Sequence, residues 1–357
     1  MEKFEVYEME SIYRDAFRIT GFRFGSGEKS LCVVGAMRGN EIQQMYACSL
    51  LVDRLKKLEA KGAIAEGREI TVIPCANPYS MNIGKRFWPT DNSDINRMFP
   101  GYNLGETTQR IADGLFKELM GYEYGIQFAS YHIPGKFANH VRMMKTGYEA
   151  VEDAKLFNLP YVVRVDPVPF DSGTLNYNWQ VWETKAFSIY TENTARIDAH
   201  SAMKVVDAIC RFLDKKGIAK YSGKAGYAPD VIEESHLVSI QTGAAGIFEP
   251  AVEVKTQVSE GDVLARIRDP YEGCVREEVR ATCDGVVFFR HADPLIYADT
   301  VVFRLVPLGD FDDGACAGRA SEAPKDPRRS RNAAVAGKAR ASGALLRDGR
   351  CVASPTC

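Results

Sequence analysis

An apolar run, Leu31-Cys32-Val33-Val34-Gly35-Ala36, passes through Met37-Arg38-Gly39-Asn40-Glu41 straight into a stretch of helical spacing. This strand-turn-helix junction is the feature that most constrains the chain. In an α/β sheet the carboxyl ends of parallel strands open onto a crevice, and a glycine-punctuated turn at such an end is where chemistry is usually placed. Arg38 and Glu41, opposite in sign and three apart, stand in that turn. Taken alone, the turn is equally an ordinary loop in which Asn40 caps the helix and Arg38 pairs with a nearby acid.

The rest of the chain extends the pattern. Alternating residues predict opening strands over 4–8 and 16–24, and Ile42, Met45, Tyr46, Leu51, Leu55 and Leu58 predict a helix from Asn40 to about Gly62. Further strands are expected at 69–75, 124–130, 139–144, 161–165 and 186–191. Helices are expected at 106–120, near 148–157 and at 197–216, with 175–183 ambiguous. This alternation predicts an α/β fold, a mostly parallel or mixed sheet with helices on both faces, over residues 1–220. His140 and Arg142, two apart on a strand, share a face. Between Asn77 and Gly101 periodicity vanishes, and a 25-residue loop without secondary structure is expected to be functional. Residues 226–307 carry short β-branched runs between Gly, Pro and Asp turns, predicting a small β-rich barrel or sandwich domain.

From 308 the composition shifts to Ala, Gly, Arg and Ser. Arg319 onward holds nine basic against three acidic residues, too little apolar surface to fold, so 308–357 reads as a disordered basic tail. That tail is either a nucleic-acid-binding arm or a non-native, frame-shifted end. The whole chain carries a net charge of −2, which argues against nucleic acid or an anionic membrane as the main partner. No signal-peptide core, no apolar run long enough to span a membrane and no Cys-x-x-Cys pair are present, so nine mostly reduced cysteines predict a cytoplasmic protein. Oligomeric state is left open.

Asp94-x-Asn96-Arg97-x-Phe99-Pro100-Gly101, together with Gly35 and Gly39-Asn40-Glu41, resembles the succinylglutamate desuccinylase/aspartoacylase family over roughly residues 28–306. The resemblance implies a zinc carboxypeptidase-like fold and a metal-dependent amidohydrolase that cleaves an N-acyl amino acid. It implies Glu41 as a zinc ligand and Glu192 as the general base that takes a proton from water. It implies Asn96, Arg97 and Arg142 as binders of the substrate carboxylate.

Two positions depart from the family pattern. Arg38 stands where a histidine ligand is expected, and a guanidinium has no lone pair to give. Ala129 stands in place of the second histidine, with His132 three residues on as a tentative substitute. Two functions follow: a deacylase using zinc or an altered metal arrangement, or a non-catalytic descendant that binds an anionic small molecule with Arg38 supplying charge where the metal was. Glu41 has a further reading as a helix-start carboxylate paired with Arg38, and Glu192 as a partner of Arg97 or Arg142.

Overall fold

The computed structural model describes residues 1–11, 15–131 and 133–309. Strand β3 (Glu28–Ala36) is buried from Ser30 to Ala36 and lies near the middle of a nine-stranded sheet. The other strands of that sheet are β1 (Glu2–Met9), β2 (Phe17–Gly25), β4 (Arg68–Cys75), β5 (Tyr124–Ala129), β7 (His140–Met144), β8 (Tyr161–Val165), β9 (Lys185–Tyr190) and β10 (Asp230–Glu233). A short β6 (Gly135–Phe137) precedes β7. The order is β1-β2-β4-β3-β5-β9-β7-β8-β10. β4, β3, β5 and β9 run parallel, β7 turns antiparallel against β9, and β1, β2 and β4 pair antiparallel. The mixed α/β class expected from the alternation is the one observed.

Side chains on β3 alternate between two cores, which is why the strand is apolar throughout. Leu31 and Val33 face α1 (Ile42–Ala60) and α6 (Ala199–Lys215), packing with Leu51, Leu55, Val205 and Ile209. Cys32 and Val34 face the other side, where α3 (Thr107–Leu119) contributes Ile111 and Leu115 and α5 (Leu175–Val181) contributes Trp179. The ambiguous stretch at 175–183 is thus helical. Only a single short helix, α4 (Val151–Lys155), forms near 148–157.

The stretch 77–101 is not structureless. It holds α2 (Pro78–Asn82), started by Asn77 whose Oδ1 accepts from the Ser80 amide at 3.1 Å, and a one-turn helix Ile95–Arg97 started by Asp94. Such turns are too short to register as periodicity, and only their Asn-Pro and Asp starts mark them. No helix of the described residues is long and apolar enough to cross a membrane.

Two further antiparallel sheets lie within the same compact unit, Met1–Arg319. One contains β11 (Val238–Gln241), β13 (Gln257–Val258), β16 (Gly285–His291) and β18 (Val301–Pro307). The other contains β12 (Gly246–Pro250), β14 (Val263–Arg268), β15 (Val275–Arg280) and β17 (Leu295–Ile296). They close on Ile240, Phe248, Leu264, Val287 and Phe303, a sandwich. The boundary is stitched from both sides: β10, inside the stretch expected to be sandwich, pairs with β8, while β6 pairs with β16. A residue range cannot show this, because strand exchange is a property of pairing rather than of local sequence.

Candidate functional site

The turn after β3 is closed by the stretch 77–101. A Cβ on Gly39 would lie 2.0 Å from the Ser80 carbonyl oxygen, so this approach requires glycine. Glu41 precedes the first helical residue of α1, and Asn40 makes no capping bond. Arg38 and Glu41 are 4% and 1% exposed. Arg38 Nη1 donates to Glu41 Oε1 at 3.0 Å, while its Nε and Nη2 donate to Asp94 at 2.9 Å. Burial opposes the guanidinium charge, yet Glu41 and Asp94 outweigh it and raise the Arg38 pKa. The expected pairing of Arg38 with Glu41 is present, and Asp94 is the partner not foreseen.

Above this cluster lies a cavity of about 560 Å³, lined among others by Arg38, Asn96, Arg97, Ala129, Arg142 and Glu234. Arg38, Asn96, Arg97 and Arg142, the residues expected at the substrate, are brought together here. Asn96 Oδ1 accepts from the Leu175 amide at 3.1 Å, bracing α5. Arg97 lies over the Phe170 ring at 5.2 Å and donates to the Asn96 carbonyl at 2.9 Å, with no carboxylate of the described residues within ion-pair distance. Burial, and then the charge of Arg38, push its pKa down.

Arg142 pairs with Glu234 at 3.0 Å, and Arg304 of β18 reaches the same carboxylate at 3.3 Å. Burial would raise the Glu234 pKa, but Arg142, the Tyr131 hydroxyl and Arg304 hold it below the ordinary carboxylate value. His140 and Arg142 do share a face. The buried imidazole stacks on Tyr190 at 4.6 Å, and Arg142 Nη1 contacts the Tyr190 hydroxyl at 3.4 Å. Desolvation lowers the His140 pKa to about 4.

Glu192 corrects two expectations. It is absent from the cavity lining, and its carboxylate meets Lys255 of the sandwich and Lys204 of α6 rather than Arg97 or Arg142. Just past the end of β9 the backbone turns, with the Glu192 carbonyl accepting from Phe137 of β6, and the strand alternation that would aim the side chain no longer applies. His132 lies outside the described residues.

Among the described residues, the donor set of this turn does not fit zinc. Arg38 and Ala129 offer no ligand atom, and Glu41 already accepts four hydrogen bonds, from the Met37 and Arg38 amides, Arg38 Nη1 and the Ser130 hydroxyl. Among the described residues, three metal-ligating side chains converge only at Asp269, Glu272 and Cys274, in the sandwich rather than the cavity, where Asp269 is already engaged by backbone amides and Arg276. Sequence reading missed Ser130, Arg86, Glu234 and Arg304. Asp94 was visible within its motif without a role, whereas nothing local marks residues that arrive from the sandwich.

This architecture, an α/β sheet with a charged crevice at its carboxyl edge and an appended sandwich, is a carboxypeptidase-like fold. The sequence model of the succinylglutamate desuccinylase/aspartoacylase catalytic domain matches residues 27–133. N-alpha-acetyl-L-2,4-diaminobutyric acid deacetylase of Halomonas elongata is 24% identical over 289 residues, covering 76% of this chain and 80% of that protein. The product-bound ectoine utilization protein EutE (DoeB) of Ruegeria pomeroyi superposes with TM-score 0.68 at 21% identity, over 85% of this chain and 92% of that one. A succinylglutamate desuccinylase/aspartoacylase from Rhodobacter sphaeroides gives TM-score 0.66 at 18% identity, over 81% and 89%. The matched stretch 27–133 is thus similar to the catalytic domain of that family, and the chain shares the fold of these solved structures.

Proposed function

We propose that the cavity binds a small carboxylate-bearing ligand of the N-acyl amino acid class, held by Arg97 and Asn96 with Arg142 and Arg38 contributing positive charge. The observation that carries this is Arg97. It is a half-buried guanidinium that forms no ion pair with a described acid, with only the more distant charges of Asp94 and Asp171 favouring it against burial, and a ligand carboxylate would supply the direct partner. The Halomonas relative, named for an acetylated amino acid, supports the ligand class, and the cavity volume suits such a molecule. The free thiols of Cys32, Cys48, Cys75, Cys210 and Cys274 are consistent with a reducing compartment such as the cytoplasm.

Amide hydrolysis of the bound ligand is the second reading, supported by the family. Zinc as its cofactor is supported by the similarity to that family alone.

Calorimetric titration with N-acetyl-L-aspartate, N-succinyl-L-glutamate and N-alpha-acetyl-L-2,4-diaminobutyrate tests the proposal. Saturable binding to one of them, weakened roughly 10- to 100-fold by Arg97→Ala, is expected for loss of a charge-assisted pair. Binding equally strong in that variant contradicts it. Amine release from the same compounds supports the second reading, and saturable binding without amine release contradicts it.

A further inference from the structure

We infer that Arg38 supplies, as a fixed guanidinium, the positive charge that a metal would bring to this turn, so that the fold and cavity are independent of metal. The acceptor sites of Glu41 are matched one to one with donors. Glu41 Oε2 accepts from two backbone amides, at 2.9 and 3.1 Å, and Oε1 from Arg38 Nη1 and the Ser130 hydroxyl. A carboxylate has about four acceptor sites, so none is left for a cation.

Asp94 is equally committed, to Arg38 through Nε and Nη2, to Arg86 Nη2 at 3.1 Å and to the Asn96 amide at 3.1 Å. Two carboxylates thus face two guanidiniums, and the local charge balances without a further ion. A divalent cation entering here would displace a hydrogen bond of Glu41 and stand beside a guanidinium that stays protonated, with little water to screen the repulsion.

The substitution changes the chemistry available. A metal offers an open coordination position to water or a carbonyl, whereas Arg38, at the cavity wall, offers directional N–H donors to a ligand oxygen. The inference concerns this turn alone and does not depend on which ligand the cavity takes.

The test uses full-length protein expressed with added zinc. Elemental analysis should find less than about one-tenth of a zinc per chain, and neither EDTA nor zinc should move Tm, since nothing in the native state is linked to metal. Zinc near one per chain, lost in Glu41→Ala, overturns the inference. A second arm separates charge from packing. Arg38→Lys should keep most of the thermal stability, while the neutral Arg38→Met should lower Tm by roughly 5–10 °C. Equal loss in both variants, or none in Arg38→Met, contradicts the assignment of charge to this residue.

Discussion

Glu41 accepts from four donors, and the donors are not equivalent. The Arg38 guanidinium is a full counter-charge, the Ser130 hydroxyl a single charge-assisted hydrogen bond. Removing the carboxylate in Glu41→Ala leaves Arg38 buried with Asp94 as its remaining acid and should cost about 3–5 kcal/mol. Ser130→Ala should cost about 1–2 kcal/mol. Urea denaturation of the two variants checks the order, and a larger loss from Ser130→Ala would show the ion pair to be incidental. At this scale the sequence was partly legible. Arg38 was recognisable as a non-ligand because guanidinium chemistry does not depend on context, and its pairing with Glu41 followed from their spacing. Asp94 was not recognisable as its other partner, since it lies 56 residues away and meets Arg38 only when the intervening loop folds back. Glu192 was misdirected for a related reason: residue type and strand number place a side chain at an edge, while the turn beyond the strand sets where it points.

Among the elements, the stretch 77–101 bears most of the site. It carries Arg86, Asp94, Asn96 and Arg97, and it ends where Gly101, at φ +98°, packs against α3. A Cβ there would lie 2.0 Å from the Asp113 amide nitrogen. Gly101→Ala should therefore destabilise by about 1–3 kcal/mol, by strain and by pushing the loop away from α3. Loss of ligand binding should accompany the loss of stability, and calorimetry on the folded variant checks this. The motif through Pro100-Gly101 was legible as a unit, although the two short helices inside it were not. Each is started by a single side chain acting on backbone amides, and that is a local signal without the repeat that makes α1 or β3 readable.

Across the whole molecule, the large sheet and the sandwich meet at titratable groups. Glu234 follows β10 and bonds Arg142 of the sheet and Arg304 of the sandwich. Its depressed pKa means that its contribution is present at neutral pH and is lost as pH falls below the ordinary carboxylate range. His140 acts just above that range. Its folded pKa of about 4 lies below the ordinary 6.5, so the fold favours the neutral ring, and stability present above pH 6.5 is lost progressively as pH falls toward 4. Chemical denaturation at pH 7 and pH 5 should show wild type weakening on acidification and His140→Phe, which keeps a ring against Tyr190, weakening much less. The sheet and the sandwich were each foreseeable from periodicity; their exchange of strands and the acid-base contacts between them were not, because both depend on pairing between distant residues.

The proposals meet in one cavity, read as binding a carboxylate through Arg97, beside a turn in which Arg38 supplies the positive charge and no metal is needed. The most direct measurement is calorimetric titration of the full-length protein, stripped with excess EDTA, with the N-acyl amino acid that binds it. The account predicts unchanged affinity with and without the chelator, and loss of binding in Arg97→Ala. Binding that vanishes with EDTA and returns with zinc would contradict it.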